Sequence, residues 1–246
     1  MNQQNSKVAL VTGASRGIGS AVAERLARDG FAVVVNYSGS AEAAAALVKK
    51  IEQGGGRALA VKADVSDPRA VREMFETTAA QLGGIDVLVN NAGVMLLSNL
   101  AETDDATFDR QVAINIKGTF NTLREAARHL RSGGRIINFS SSVVGLLQPT
   151  YSVYAATKAA VEAMSKVFAK ELRGRNITVN TVAPGPTATD LFLNGKPQAV
   201  IDHLAKLAPL ERLGQPDDIA RAVSFLAGAD GAWINGQTLR ANGGII

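Results

Sequence analysis

Cysteine is absent from the 246-residue sequence. Disulfides and thiolate metal sites are therefore excluded. Only two histidines occur, His129 and His203, so a histidine zinc site or a Ser-His-Asp triad is poorly supplied and no metal site is expected. Long apolar runs are missing too, since no stretch approaches the roughly 20 residues of a membrane span. The first residues, MNQQNSKVAL, are polar and lack the apolar region of a signal peptide. A soluble cytoplasmic protein with no membrane partner is the expectation. Charge of one sign is scarce: 26 Lys and Arg against 22 Asp and Glu leave a net +4. The densest basic run, Arg124 to Arg135, is broken by Glu125 and apolar residues. That reads as a solvated helix face, and no nucleic-acid partner is expected. What is present is 46% hydrophobic residues and 24 glycines, which suit one globular domain over residues 1–246.

Short β-branched runs alternate with Ala/Leu-rich segments. Strands are expected at Val8–Thr12, Ala32–Asn36, Ala58–Lys62, Val87–Asn90, Arg135–Ser140, Thr178–Ala183 and Gln237–Arg240. Helices are expected near 18–29, 41–53, 68–82, 104–131, 152–173 and 216–228. Strands that are apolar throughout belong to a sheet covered on both faces. The βαβα alternation then predicts a doubly wound α/β fold, a parallel seven-stranded sheet with helices on both faces. Asp67-Pro68 and Gln215-Pro216 each put proline at a helix start. Gly30 and Gly54-Gly55-Gly56 are helix stop signals. The stretch Pro184 to Pro209, with four prolines and two glycines, reads as a loop and short helix over the sheet edge.

After the first strand comes Thr12-Gly13-Ala14-Ser15-Arg16-Gly17-Ile18-Gly19, and then a helix opens. Glycines let the backbone turn sharply and approach a ligand. The helix start offers free N–H groups and a positive dipole end to a pyrophosphate. The second strand ends Asn36-Tyr37-Ser38, with no carboxylate before Glu42. NAD sites usually carry an acid there for the ribose 2′-hydroxyl. Asn36 and Ser38 can instead donate to a 2′-phosphate, and Arg16 can add positive charge, which favours NADP(H). Asp64-Val65 ends the third strand, where Asp64 either meets an adenine edge or is a helix N-cap or turn residue. Asn90-Asn91-Ala92-Gly93 ends the fourth, at the strand ends where ligands bind.

Residues 151–159 read YSVYAATKA. Tyr154 and Lys158 stand at i and i+4 on one helix face, whereas Tyr151 has Ala155 at that spacing. A nearby ammonium favours the phenolate and lowers a phenol pKa from about 10. The pair is then a general acid/base; the bland alternative is an exposed amphipathic pair. The preceding strand ends in three hydroxyls, Ser140, Ser141 and Ser142.

Taken together, these motifs resemble the short-chain dehydrogenase/reductase family. The glycine turn Thr12–Gly19, the strand end Asn90–Gly93, the Ser/Tyr/Lys set and Pro184-Gly185 occur in that family's order and spacing. The likeness runs from about Lys7 to the last residue. It is strongest to single-domain NADP(H)-dependent carbonyl and 3-oxoacyl-acyl-carrier-protein reductases with a Rossmann fold. The resemblance implies that Ser141 holds the substrate carbonyl oxygen, with Ser142 as the fallback. Tyr154 protonates that oxygen as hydride arrives from the nicotinamide. Lys158 binds the nicotinamide ribose and lowers the tyrosine pKa. Asn115 holds a water that links Lys158 to solvent. The resemblance likewise assigns Gly13, Ser15, Arg16, Gly17, Ile18, Gly19, Asn36, Tyr37, Ser38, Asp64, Val65, Asn91, Ala92 and Gly93 to the cofactor. Pro184, Gly185, Thr187 and Thr189 fall at its nicotinamide end. A substrate loop follows at about 188–213, with Lys196, Lys206 and Arg212 scattered through it. Family members are often homotetramers, and many relatives carry Asp where this chain has Asn242.

The expected activity is reduction of a small carbonyl substrate to the alcohol, reversibly. Two other readings stay open: a 3-oxoacyl-acyl-carrier-protein reductase of fatty-acid synthesis, and a catalytically silent NADP(H)-binding sensor.

Overall fold

Seven apolar segments form one parallel sheet in the computed structural model, which describes residues 6–246. The first five residues of the polar start lie outside that range. The strands are β1 (Val8–Val11), β2 (Ala32–Tyr37), β3 (Arg57–Lys62), β4 (Ile85–Asn90), β5 (Leu130–Phe139), β6 (Thr178–Pro184) and β7 (Thr238–Ala241). Their spatial order is β3-β2-β1-β4-β5-β6-β7, and every neighbouring pair is parallel. The order reverses between β1 and β4, so a crevice opens at the carboxyl ends of those strands.

Helices cover both faces. On one side lie α1 (Gly17–Arg28), α2 (Ala41–Gln53) and, from the far end of the chain, α10 (Pro216–Ala227). Their Val22, Leu26, Leu47, Ile51, Ile219 and Val223 pack on Val11, Val33, Val89 and Ile137 of the sheet. The other side is covered by α3 (Pro68–Leu82), α5 (Gly118–His129) and α7 (Ser152–Glu171). There Val71, Met74, Phe75 and Leu123 meet Leu10, Val34, Leu88 and Ile136. Alternate residues of each strand thus feed opposite cores, which is why the strands are apolar throughout. Each large side chain so buried contributes about 1.5–3 kcal/mol.

Helix ends follow their capping chemistry. Asp67 accepts from the Arg69 N–H at the start of α3, and Gln215 with Asp218 forms a capping box on α10. Two stretches differ from the sequence reading. The expected helix 104–131 is α4 (Asp105–Gln111), a π-helical segment Val112–Lys117, and then α5. Its last residues belong to β5, which starts at Leu130 and carries extra residues between Leu130 and Arg135 opposite Ile85–Val87. Between β5 and α7 there is only the short α6 (Val143–Leu146). The proline-rich stretch after β6 contains two helices, α8 (Asp190–Leu193) and α9 (Gln198–Leu207). No helix among the described residues is long and apolar enough to cross a membrane.

Candidate active site

The turn between β1 and α1 is built for close approach. Gly13 and Gly17 hold φ of +60° and +58°, which side chains rarely adopt. A Cβ on Gly19 would lie 2.4 Å from the Gly13 carbonyl oxygen and 2.5 Å from Asn91 Nδ2. No side chain caps α1 and no acid stands in its first turn, so its N–H groups and dipole face outward. In front of them opens a cleft of about 620 Å³. Gly13, Ser15, Arg16, Gly17, Ile18, Gly19, Asn36, Tyr37, Ser38, Asp64, Val65, Asn91, Ala92, Gly93 and Thr189 all line it. The uncapped N-terminus of α1, with no acid in its first turn and glycines at positive φ before it, suits a dinucleotide pyrophosphate, and glycine at 19 lets the turn pack against Asn91.

Two of these residues, Asn36 and Asn91, act on the glycine turn itself. Asn36 is buried, and its amide donates to the carbonyls of Ala63 at 3.0 Å and Val61 at 3.3 Å. Its Oδ1 accepts from the Gly13 N–H at 3.1 Å. Asn36 therefore has no donor free for a 2′-phosphate, which corrects the sequence reading; it ties β2, β3 and the glycine turn together. Asn91 likewise donates to the carbonyls of Thr12 and Gly13, both at 2.9 Å, so its side chain braces the turn. Asp64 closes a local turn on the N–H and hydroxyl of Ser66, at 2.9 and 2.8 Å. Exposed Arg16 and Ser38 remain at the cleft with free side chains for a phosphate.

The reacting groups gather where β5 ends against α7. Lys158 is buried and donates to the Phe139 carbonyl at 2.9 Å, and its Nζ stands 5.8 Å above the centre of the Tyr154 ring. The three serines separate by direction. Ser140 donates to Glu162 at 2.7 Å, and buried Ser142 points to the Ala183 carbonyl at 3.4 Å. Ser141 Oγ accepts from the Val143 N–H at 3.4 Å and lies close enough to Tyr154 to lower the pKa of that phenol. Asn115 sits in the π-helical segment, a distortion that often marks functional sites. Its amide donates to the Val94 carbonyl at 2.9 Å and to Thr157 Oγ1 at 3.1 Å, while its Oδ1 accepts from the Val94 N–H at 2.9 Å. A Cβ on Gly93 would come within 3.3 Å of Asn115 Oδ1 and 3.4 Å of Lys158 Nζ, so only glycine leaves this corner open.

Burial governs the charge states. It pushes the Tyr154 phenol up to about 12, Ser141 opposing and Tyr151 adding to the rise. It pulls the Lys158 ammonium down to about 8. Burial thus acts on Tyr154 in the direction opposite to the lowering expected from Lys158. The ammonium is bound to a carbonyl rather than to the phenol, and desolvation outweighs its field.

Another cavity, of about 60 Å³, has Ser141 and Ser142 in its wall. Met95, Val143, Leu146, Tyr151, Pro184, Gly185, Phe192, Leu204 and Ile245 are among its walls. Pro184 and Gly185 therefore face this cavity rather than the larger cleft. Thr187 is buried and bonds the Gly185 carbonyl at 2.9 Å, so it shapes the turn. Thr189 lies 3.5 Å from where a Gly17 Cβ would be, above the glycine turn. Several contributors escaped the sequence reading. Gln111 Oε1 accepts from the Leu96 N–H at 3.3 Å and, with Asn115, holds the loop that carries Met95. The Phe139 carbonyl that binds Lys158 has no side-chain signature at all. The i, i+4 spacing of Gln111 and Asn115 was the one available signal.

Comparison with known proteins agrees with this architecture. A family model described as Enoyl-(Acyl carrier protein) reductase matches residues 13–246. A short-chain type dehydrogenase/reductase of Picea abies is 46% identical over 250 residues, covering 98% of this chain and 92% of the relative. An NADPH-dependent aldehyde reductase-like chloroplastic protein of Arabidopsis thaliana is 41% identical over 254 residues, covering 98% and 94%. The crystal structure of a short chain dehydrogenase from Burkholderia cenocepacia J2315 in complex with NADP superposes with a TM-score of 0.93. It shares 40% identity and covers 99% of each chain. Fold, site order and these likenesses over almost the whole length make the chain a member of the short-chain dehydrogenase/reductase family of oxidoreductases.

Proposed function

We propose that the protein is an NADP(H)-dependent oxidoreductase that reduces a ketone or aldehyde to the alcohol, and runs in reverse as an alcohol dehydrogenase. The observation that carries this reading is a dinucleotide-sized cleft at the carboxyl ends of the strands, together with Lys158 Nζ 5.8 Å from the Tyr154 ring centre and Ser141 in the wall of a small cavity. When bound, the cofactor exchanges a hydride with the carbonyl carbon. The protein's own residues do the rest. Ser141 holds the carbonyl oxygen. Tyr154, neutral because burial raises its pKa, donates its proton to that oxygen as negative charge builds there. Lys158 binds the adjoining ribose. Asn115, beside Lys158 at the corner left open by Gly93, holds the water that returns a proton from solvent.

NADP(H) rather than NAD(H) is supported by Arg16 and Ser38 at the cleft and by a β2 end without a carboxylate. The Burkholderia relative's NADP complex and the name of the Arabidopsis relative point the same way. That name also favours small carbonyl substrates. The lid around α8 and α9 offers little to an acidic carrier protein. Arg212 is paired with Asp218 at 2.6 Å, and Lys196 lies 4.6 Å over the Phe192 ring.

We further propose one catalytic domain over the chain, a cytoplasmic location and a homotetramer. Exposed Phe108, Phe120 and Val167 on α4, α5 and α7 support one contact face. Trp233, 98% exposed beside the β7 edge, with Phe225 and Leu239, supports a second. Light scattering reads the assembly and cell fractionation the location. The central experiment follows NADPH and NADH absorbance over ketones, aldehydes, quinones and a 3-oxoacyl thioester. NADPH oxidation is expected with small carbonyls, and Tyr154→Phe should lower kcat at least about 100-fold with its melting temperature kept. A Tyr154→Phe enzyme at wild-type rate would sink the mechanism.

A further inference from the structure

The reaction leaves Tyr151 without a task. It is the residue just before α7, three positions ahead of Tyr154. At that spacing two side chains leave a helix on the same side, with Cβ atoms about 5–6 Å apart. Tyr151 lines the small cavity together with Ser141 and Gln148, and it also borders a groove of about 330 Å³ along the start of α7. It lies close enough to Tyr154 to influence the ionisation of that phenol. Burial alone shifts the Tyr151 pKa upward, and no hydrogen bond to the protein offsets it. The cavity thus presents a neutral phenol without a protein partner, beside the reacting groups.

The remaining walls decide what kind of group can meet that phenol. Met95, Val143, Leu146, Phe192, Leu204 and Ile245 are apolar, Ser142 and Gln148 are the further polar side chains, and no charged side chain is among the described residues that line the cavity. A carboxylate or an amine would lose its hydration there without a counter-charge. A polyol would leave several hydroxyls unpaired. The volume of about 60 Å³ takes a carbonyl and its immediate neighbours. A plain apolar ketone fits the walls, yet it displaces water from the Tyr151 hydroxyl and gives nothing back.

We propose that Tyr151 is a specificity-determining residue whose phenol hydrogen-bonds a second oxygen, on the carbon next to the reacting carbonyl. The pocket then selects uncharged, mainly apolar α-hydroxy or α-oxo ketones. This rests on the reductase reading above and names the substrate class of the same site.

Two proteins and two ketones test it. Wild type and Tyr151→Phe are assayed with NADPH against 2-hydroxyacetophenone and acetophenone, which differ by one hydroxyl. The ratio of kcat/KM, hydroxy ketone over plain ketone, is expected to fall about ten-fold in Tyr151→Phe. The fall should come through KM of the hydroxy ketone. Titrating 1-phenyl-1,2-ethanediol and 1-phenylethanol into the enzyme–NADPH complex reads the same preference without turnover. The wild type should favour the diol, and Tyr151→Phe should lose that preference. An unchanged ratio and an unchanged diol preference overturn the proposal and leave the reductase reading standing. An equal drop in kcat for both ketones also overturns it, because Tyr151 would then act on Tyr154 and not on the substrate. Bound NADPH with no carbonyl of the wider panel reduced overturns the reductase reading and this proposal with it.

Discussion

Replacing Lys158 by methionine is expected to stabilise the ligand-free protein at pH 7. Methionine keeps the unbranched apolar stem and removes the charge. Lys158 is only 5% exposed, and burial lowers its pKa from 10.5 to about 8. Between those two values the unfolded chain holds a proton that the folded one has released, so stability rises with pH. The depressed folded pKa therefore contributes stability that is complete above 10.5 and lost as pH falls through about 8. Holding the ammonium inside at pH 7 costs about 3 kcal/mol at roughly 1.4 kcal/mol per pKa unit. Methionine also gives up the hydrogen bond to the Phe139 carbonyl, about 1 kcal/mol. The net gain is about 2 kcal/mol, or about 4–8 °C in melting temperature for a chain of this size. Urea and thermal unfolding without cofactor, at pH 7 and at about pH 9.5, measure it. The advantage of Lys158→Met should shrink by about 2 kcal/mol between the two. A variant less stable than wild type at pH 7, or an advantage that does not move with pH, refutes desolvation as the dominant effect on this lysine.

Four further substitutions probe separate parts of the site. Ser141→Ala should lower kcat about 100-fold, whereas Ser142→Ala, which loses only a buried contact to Ala183, should show its effect in melting temperature; kinetics of the pair reverse the assignment if Ser142→Ala is the slow one. Arg16→Glu should move the NADPH-to-NADH preference at least about ten-fold toward NADH, because a carboxylate repels the 2′-phosphate; steady-state kinetics with both cofactors that show no shift would leave Arg16 a solvated loop residue. Asn36→Asp should destabilise the fold by about 1–3 kcal/mol in urea, since its carboxylate would face the carbonyls of Ala63 and Val61 without a donor. An Asn36→Asp protein of native stability that merely switches cofactor would instead restore Asn36 as a direct phosphate contact.

Local chemistry was legible in the chain itself. Unalternating apolar runs predict doubly covered strands, and the seven strands fall where those runs are. Proline marks the starts of α3 and α10, and glycine the stops of α1 and α2, within a residue or two. The glycine turn and the i, i+4 placement of Tyr154 and Lys158 are sequence spacings, so no packing knowledge is needed to see them. Packing decided everything that depends on what a side chain meets far along the chain. Three neighbouring serines look alike until β6 and α7 take up Ser142 and Ser140 and leave Ser141 to Tyr154. Asn36 and Asn91 look like ligand donors until carbonyls from distant strands occupy them. The π-helical turn at Asn115 follows from its pairing with Val94, 21 residues away. The direction of the Tyr154 and Lys158 shifts was also out of reach, because sequence spacing reports which charges are near but not how much water is left. Tyr151 passed as a spectator for the same reason: its spacing to Lys158 is wrong, and only the assembled structure puts it in the wall of a cavity beside Ser141.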